Sequence, residues 1–206
     1  AVDEGRAIFN RLRNVVFFSL STNLGEIISL LLAVSFTGYA PLLAVQIIWV
    51  NLVTDTSVEI PLGLEPKFGD ELKQPPRHPK VGLIYPGLLL RICFLAMLMS
   101  LSIFFIFKWA LGHYGDDEAG IMIAQTMAFC SITAFSWVRA FNARSDEHTI
   151  FTLGILKNKW LLMGVGIAVV LQMAVIYIPF LSDAFKTAPL NISQWGIVLI
   201  AGAALF

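Results

Sequence analysis

Two apolar stretches of the chain carry polar side chains at the spacing of a helical face. In the first stretch these side chains are Ser19, Thr22, Asn23 and Glu26. In the second they are Asn51, Thr54, Asp55 and, one turn later, Glu59. Residues at i, i+3, i+4 and i+7 stack on one side of an α-helix, so each stretch is predicted to form a helix with one polar stripe. Only a short turn, 37–41, separates the helices, which makes them antiparallel neighbours whose stripes can meet.

The chemistry that the two stripes share is the binding of a hard cation. The candidate metal ligands all offer oxygen, and they are Asn23, Glu26, Asn51, Thr54 and Asp55. Hard cations such as Ca²⁺ take about six to eight oxygen ligands, with carboxylates to offset the charge, whereas soft metals prefer sulfur or imidazole. Neither stretch contains a basic residue beside its acid, so Glu26 and Asp55 would repel each other unless a cation or a proton lay between them.

A purely structural role is the alternative for the polar residues of these stretches. Ser, Thr and Asn often bridge membrane helices, for about 0.6 kcal/mol each. That role is predicted for Ser19, Thr22, Gln125, Ser131, Thr133 and Ser136. A carboxylate at bilayer depth costs about 2.5 to 3.5 kcal/mol, so Glu26 and Asp55 are predicted to serve transport instead. Glu59 lies nearer to water, and both interpretations stay open for it.

The composition is typical of a membrane protein. Of 206 residues, 57% are hydrophobic and only 14% are charged, which excludes an ordinary soluble domain. The 14 basic and 14 acidic residues cancel, so no nucleic-acid partner is expected. Cys93 and Cys130 both lie in apolar stretches and are expected to act as small buried hydrophobes rather than as a disulfide.

Six stretches reach or approach the ~20 apolar residues that a helix needs to cross the ~30 Å hydrocarbon core. They are 14–36, 42–60, 88–111, 119–141, 160–181 and 192–206. The predicted fold is an all-α membrane protein, a bundle of six transmembrane helices of which the last is truncated. Residues 1–13 are expected to carry the first helix out of the membrane as a stalk, and residues 14–206 to form the membrane domain. Pro61, with Gly63 after it, is expected to end or loosen the second helix.

The distribution of basic residues predicts the orientation, because Lys and Arg near span ends are retained on the cytoplasmic side. With a cytoplasmic amino terminus, 12 of the 14 Lys and Arg residues fall on that side, and only Lys108 and Lys186 on the other. The chain is thus expected to be a multi-pass integral membrane protein with its first residue in the cytoplasm. The proline-rich run Lys73–Lys80 is expected to be an extended cytoplasmic loop, as a docking surface or a plain linker.

Several specific motifs follow one another along the chain. They are Glu4-Gly-Arg-Ala-Ile8, Ser21-Thr-Asn-Leu-Gly-Glu26, Asn51-Leu-Val-Thr-Asp55, Leu62-Gly-Leu-Glu-Pro66 and Pro75-Pro-Arg77. With this combination the chain resembles the type-II P-type ATPases, the calcium-pump-like cation pumps, over essentially its whole length. The resemblance implies the carboxyl-terminal membrane region of such a pump, its helices five to ten, with Lys73–Lys80 in contact with the phosphorylation domain.

Position by position, the resemblance implies ligands on two helices. Asn23 and Glu26 match ligands of the family's fifth helix, and the match to its sixth helix comprises Asn51, Thr54 and Asp55. Ser136 stands where two-site calcium pumps carry a glutamate on the eighth helix, and Arg139 follows one turn later. A fixed positive charge there would discourage a second divalent ion, so one bound cation is expected. Further departures from the calcium pumps are Thr56, Val58 and the added acid Glu59.

The resemblance implies that the chain is the membrane fragment of an ATP-driven cation pump, with Ca²⁺ as the expected transported ion. The chain contains no Asp-Lys-Thr-Gly-Thr motif, so the catalytic residues and the sites for ATP and Mg²⁺ are expected in the missing amino-terminal and cytoplasmic domains. Those domains and the lipid bilayer are the expected partners. The parent is expected to be an enzyme, whereas the fragment should not hydrolyse ATP. The alternatives are a passive cation channel or secondary carrier that uses the same acids, and a purely structural scaffold.

Overall fold

The computed structural model describes residues 2–66, 82–144 and 157–203. Within these ranges the chain is helical and contains no strand, which confirms the predicted all-α class. The helices are α1 (Val2–Thr37), α2 (Ala44–Trp49), a π-helix (Val50–Asp55), α3 (Thr56–Gly63), α4 (Pro86–Tyr114), α5 (Glu118–Asn142), α6 (Lys159–Tyr177), α7 (Pro179–Phe185) and α8 (Ile192–Ala203). The motif Pro75-Pro-Arg77 and the run Lys73–Lys80 lie outside the described residues.

Four helices, α1, α4, α5 and α6, are long and apolar enough to cross a membrane. Helix α8 is apolar but shorter. Helix α5 is the centre of the bundle, since 78% of its apolar window is buried, against 39% for α1 and α4 and 33% for α6. The residues that α5 packs around itself belong to one large apolar cluster that includes Phe107, Phe129 and Phe135. Every other long helix therefore presents more of its surface to the surroundings than α5 does.

The second predicted span is one helical segment of three parts, α2, the π-helix and α3, which together form the segmented helix. The sequence placed its irregularity at Pro61, and this is wrong in position. The backbone remains α-helical through Pro61 and ends at Gly63, whereas the departure from α-helix geometry lies six or more residues earlier, at Val50–Asp55. Proline removes the amide that would have bonded to the carbonyl of Ser57, but α3 packs tightly enough on α6 to keep its course.

The fifth predicted span, 160–181, is also interrupted. Helix α6 ends at Tyr177, Ile178 is extended with φ −85° and ψ 118°, and α7 begins at Pro179. The residue before a proline is disfavoured in the α-helical region, which explains the break. The predicted helix is therefore a membrane-length helix followed by a short separate one.

Hydrogen bonds between distant segments define two opposite ends of the bundle. At the end that we name the Ala40 end, Gln125 donates to the Ala40 carbonyl at 2.9 Å, and Gln46 donates to the Phe185 carbonyl at 3.0 Å. Gly38, with φ +77°, makes the turn from α1 to the segmented helix at this end. At the other, the Glu65 end, Arg144 bonds to Glu65. The antiparallel pairing of α1 with the segmented helix is thus as predicted.

Candidate cation site

The first contact between the two polar stripes joins α1 to the π-helix. The Asn51 amide donates to Glu26 Oε2 at 3.1 Å and to the Ile47 carbonyl at 2.9 Å. Glu26 is buried at 7% exposure, in the middle of α1. Because the amide nitrogen of Asn51 is engaged in both bonds, the group that this side chain can still offer to an ion is its carbonyl oxygen.

The second acid lies at the last residue of the π-helix. Asp55 is 2% exposed, and its Oδ1 accepts a hydrogen bond from the Ser136 hydroxyl of α5 at 3.2 Å. The charges that act on Asp55 are those of Glu26, Glu59 and Arg139. The two stripe acids are therefore close enough to interact electrostatically, and α5 supplies a hydroxyl to one of them.

The buried acids keep oxygen atoms that no donor satisfies. Within the described part of the chain, Glu26 Oε1 and Asp55 Oδ2 are buried and have no hydrogen-bond partner, and the same holds for Arg139 Nη1. Buried polar atoms are hydrogen-bonded in most native structures, so unsatisfied ones point to a missing ligand or to a functional site. Two of these atoms are carboxylate oxygens, which is the chemistry that a hard cation would complete.

A buried guanidinium accompanies the acids. Arg139, on the last turn of α5, is 3% exposed, and its Nη2 donates to the Ser21 hydroxyl of α1. Its guanidinium carbon lies 5.7 Å from the centre of the Phe17 ring, within the range of a cation–π contact. The region between α1, the π-helix and α5 thus holds one fixed positive group as well as two acids.

The structure does not bring all predicted ligands together. The Asn23 amide bonds within α1, to the Ser19 carbonyl at 2.9 Å and to its hydroxyl at 3.3 Å, and this side chain is half-buried. Thr54 is 1% exposed within the π-helix. Among the residues that the structure describes, there is no group of three or more His, Cys, Asp or Glu side chains that could hold a metal. A cation between Glu26 and Asp55 would therefore also need amide, hydroxyl or backbone oxygen.

The π-helix places the candidate ligands Asn51, Thr54 and Asp55 on a widened turn. Such turns occur mostly as single interruptions of α-helices and often mark functional sites. The Thr56 hydroxyl is 3.5 Å from the Asn51 carbonyl across this turn. A sequence signal for this feature was not evident, since Thr56 and its neighbours contain neither glycine nor proline.

Sequence reasoning also missed two sets of polar residues. Ser21, the partner of Arg139, lies off the predicted stripe of α1 and is 118 residues away in the chain. A buried cluster at the Glu65 end was not foreseen either. The only signal for the first pair was an arginine inside a predicted span, which must find an acceptor there.

The fold and the site correspond to a known class. The family of cation-transporting ATPase carboxyl-terminal regions ("Cation transporting ATPase, C-terminus") matches residues 39–206, and the chain belongs to this family. The resemblance to the membrane region of P-type ATPases is therefore confirmed.

Three similar proteins illustrate the relationship. The chain is 36% identical to "Calcium-transporting ATPase 1" of Bacillus cereus, over 97% of this chain and 24% of that protein. It is 33% identical to "Calcium-transporting ATPase type 2C member 2" of Homo sapiens, over 99% and 21%. It is 31% identical to "Probable cation-transporting ATPase F" of Mycobacterium bovis, over 100% and 22%. The chain spans less than a quarter of the length of these curated relatives.

Proposed function

We propose that the chain is the ion-carrying membrane part of an ATP-driven cation pump and that Ca²⁺ is its transported ion. In this proposal Glu26 and Asp55 bind the cation with their carboxylates, and the surrounding oxygens come from Asn23, Asn51 and Thr54. The relatives named as calcium-transporting ATPases support Ca²⁺. They also favour a pump over the passive channel or carrier, which would use the same acids.

The observation that carries the proposal is the pair of unsatisfied carboxylate oxygens. Within the described ranges, Glu26 Oε1 and Asp55 Oδ2 are both buried and lack a hydrogen-bond partner, although they belong to different helices. Two like charges at this depth are costly unless a cation or protons compensate them. Membrane-embedded acids that face protein rather than lipid typically mark ion pathways.

The buried Arg139 supports a stoichiometry of one cation. Its charge acts on Asp55, and its Nη2 is held by Ser21. With two acids and one guanidinium, the region carries at most one net negative charge before Glu59 is counted. A second divalent ion would therefore bring more positive charge than the site can balance. Equilibrium binding of radioactive Ca²⁺ to the full-length pump, counted per phosphorylation site, should give one ion.

Residues 14–206 form the membrane domain in this proposal, and residues 1–13 are the cytoplasmic stalk that begins α1. Helix α1 is continuous from Val2 to Thr37, so a tilt applied to the stalk would reach Glu26 through an unbroken helix. The domains that hydrolyse ATP with Mg²⁺ belong to the rest of the same pump. Phosphorylation there would tilt the stalk and expose the acids to the two sides in turn.

The test is the exchange of Asp55 for asparagine in the full-length pump. Asp55→Asn should abolish phosphorylation from ATP that depends on the transported ion, because the variant keeps the side-chain shape but loses the charge. Asp183→Asn is the matched control, since Asp183 is an exposed acid on α7, away from the site. Wild-type ion affinity in Asp55→Asn would show that Asp55 is not a ligand.

A further inference from the structure

A second buried polar cluster lies at the Glu65 end, outside the candidate cation site. Four buried residues, which we name the Glu65 cluster, are Asn14, Glu65, Arg144 and Asn158. Arg144 donates to Glu65 Oε1 through Nε at 2.9 Å and through Nη2 at 2.7 Å. Asn158 donates to Glu65 Oε2 at 2.5 Å, so both oxygens of this carboxylate are bound.

The Glu65 cluster connects the ends of four different helices. Glu65 follows the end of the segmented helix, Arg144 follows the end of α5, and Asn158 precedes α6. The Asn14 amide of α1 donates to the Arg144 carbonyl at 2.7 Å. Fixed charge and hydrogen bonds thus join segments that are 79 to 130 residues apart in the chain.

Asn158 has two functions that can be separated. Its Oδ1 accepts from the Leu161 amide at 2.9 Å and so caps the amino terminus of α6. Its Nδ2 donates to the Pro61 carbonyl at 3.1 Å and to Glu65. Serine can also cap a helix, but it cannot reach two acceptors with a side-chain amide.

The contact at Pro61 is close to the site along the helix. Pro61 lies six residues after Asp55, which is about 9 Å along the axis. The proline cannot donate its own amide to Ser57, so α3 lacks one of the bonds that would hold its last turn in line. The amide of Asn158 supplies a bond from outside the helix at this weakened turn.

We propose that Asn158, Glu65 and Arg144 are positioning residues that hold the end of the segmented helix against α5 and α6 and thereby keep Asp55 in place. The consequence for ion affinity rests on the proposed function, whereas the holding of the helix end does not. Because a fully hydrogen-bonded buried ion pair tolerates little displacement, the end of the segmented helix moves together with α5 and, through Asn14, with α1.

The first measurement is hydrogen exchange of the full-length protein in the absence of the transported ion. Asn158→Ser keeps the cap of α6 but loses the amide donor. It should raise exchange in the peptides that cover 57–66 and leave 159–165 as in the wild type. A residue that only caps α6 would give no change at 57–66, and that result overturns the proposal.

The second measurement is the ion dependence of phosphorylation from ATP. Asn158→Ser should raise the half-saturating ion concentration about three- to tenfold, below the ~10- to 100-fold typical of direct outer-shell partners, with the maximal phosphoenzyme level unchanged. The matched control is Asp117→Ser, because Asp117 caps α5 by accepting from the Gly120 amide at 3.1 Å, at the opposite end of that helix. Equal ion affinity in both variants, with raised exchange at 57–66, would overturn the link to Asp55.

Two further variants separate the possible failures. Glu65→Met combined with Arg144→Met removes the ion pair without leaving a buried charge, a replacement that proteins often tolerate, and it should reproduce the effects of Asn158→Ser. Wild-type exchange at 57–66 in the double variant overturns the proposal. Asp55→Asn is run beside these variants. If it keeps wild-type ion dependence, the proposed function fails, and the exchange at 57–66 still decides whether the Glu65 cluster holds the helix.

Discussion

The close approach of α6 to α3 makes Gly164 a position where one methyl group should matter. A Cβ atom at Gly164 would lie 3.0 Å from Pro61 Cγ, 3.2 Å from the Ser57 carbonyl carbon, and closer still to the Ser57 carbonyl oxygen. The last two atoms are backbone, so no rotamer change can relieve the overlap. Gly164→Ala should therefore push the two helices apart.

Gly166 provides the matched control on the same helix. A Cβ there would meet nothing within 4 Å. Both substitutions share the gain of about 1 kcal/mol that alanine brings over glycine inside a helix. The difference between the variants therefore isolates the overlap, which should cost about 1 to 3 kcal/mol, the usual range for overpacking.

The assay is reversible unfolding of the full-length protein in mixed micelles, with the free energy of unfolding compared between the two variants. Gly164→Ala should be the less stable by the stated difference. If the two variants unfold with free energies within about 0.5 kcal/mol of each other, the backbone of α3 is not fixed against α6, and the tight packing inferred here is wrong.

Two other substitutions test the surroundings of the site and the Ala40 end. Ser136→Ala removes the hydroxyl that bonds to Asp55 and should weaken ion affinity about tenfold in the phosphorylation assay, as the loss of an outer-shell partner does. Thr133→Ala removes only a bond within α5 and should change nothing; equal effects would contradict a role for Ser136. Tyr177→Phe removes a hydroxyl that donates to the Leu190 carbonyl at 2.8 Å and should lower the free energy of unfolding by about 1 kcal/mol. An unchanged unfolding transition would mean that lipid or water replaces this bond.

The sequence alone was enough to predict the contact between the polar stripes. Glu26 and Asn51 were placed on facing helices by helical spacing and by the short turn between α1 and the segmented helix, and they form a hydrogen bond. These two inputs are local, so neither depends on the arrangement of distant helices. Asn23 shared the spacing, but its amide bonds within its own helix, because Ser19 one turn earlier offers two closer acceptors.

The contributions of α5 and α6 could not be predicted in the same way. Ser136 was assigned to helix bridging, and it does bridge, but the acceptor at the other end is Asp55. The pairs Arg139 with Ser21 and Arg144 with Glu65 join residues 118 and 79 positions apart. Which helices become neighbours at such separations depends on the packing of the whole bundle, which periodicity does not encode. The break at Pro179, by contrast, followed a local rule that the span prediction did not apply.

The π-helix has a consequence for insertions and deletions in this part of the chain. Its i to i+5 bonds enclose one residue more than an ordinary α-helical turn. Deleting a single residue from Val50–Asp55 would let the segment close as an α-helix, yet it would rotate everything after it by about 100° relative to what precedes it. Val58 and Leu62, which are fully or nearly fully buried, would then leave the core. The gene should therefore tolerate exchanges of residue type here far better than changes of length.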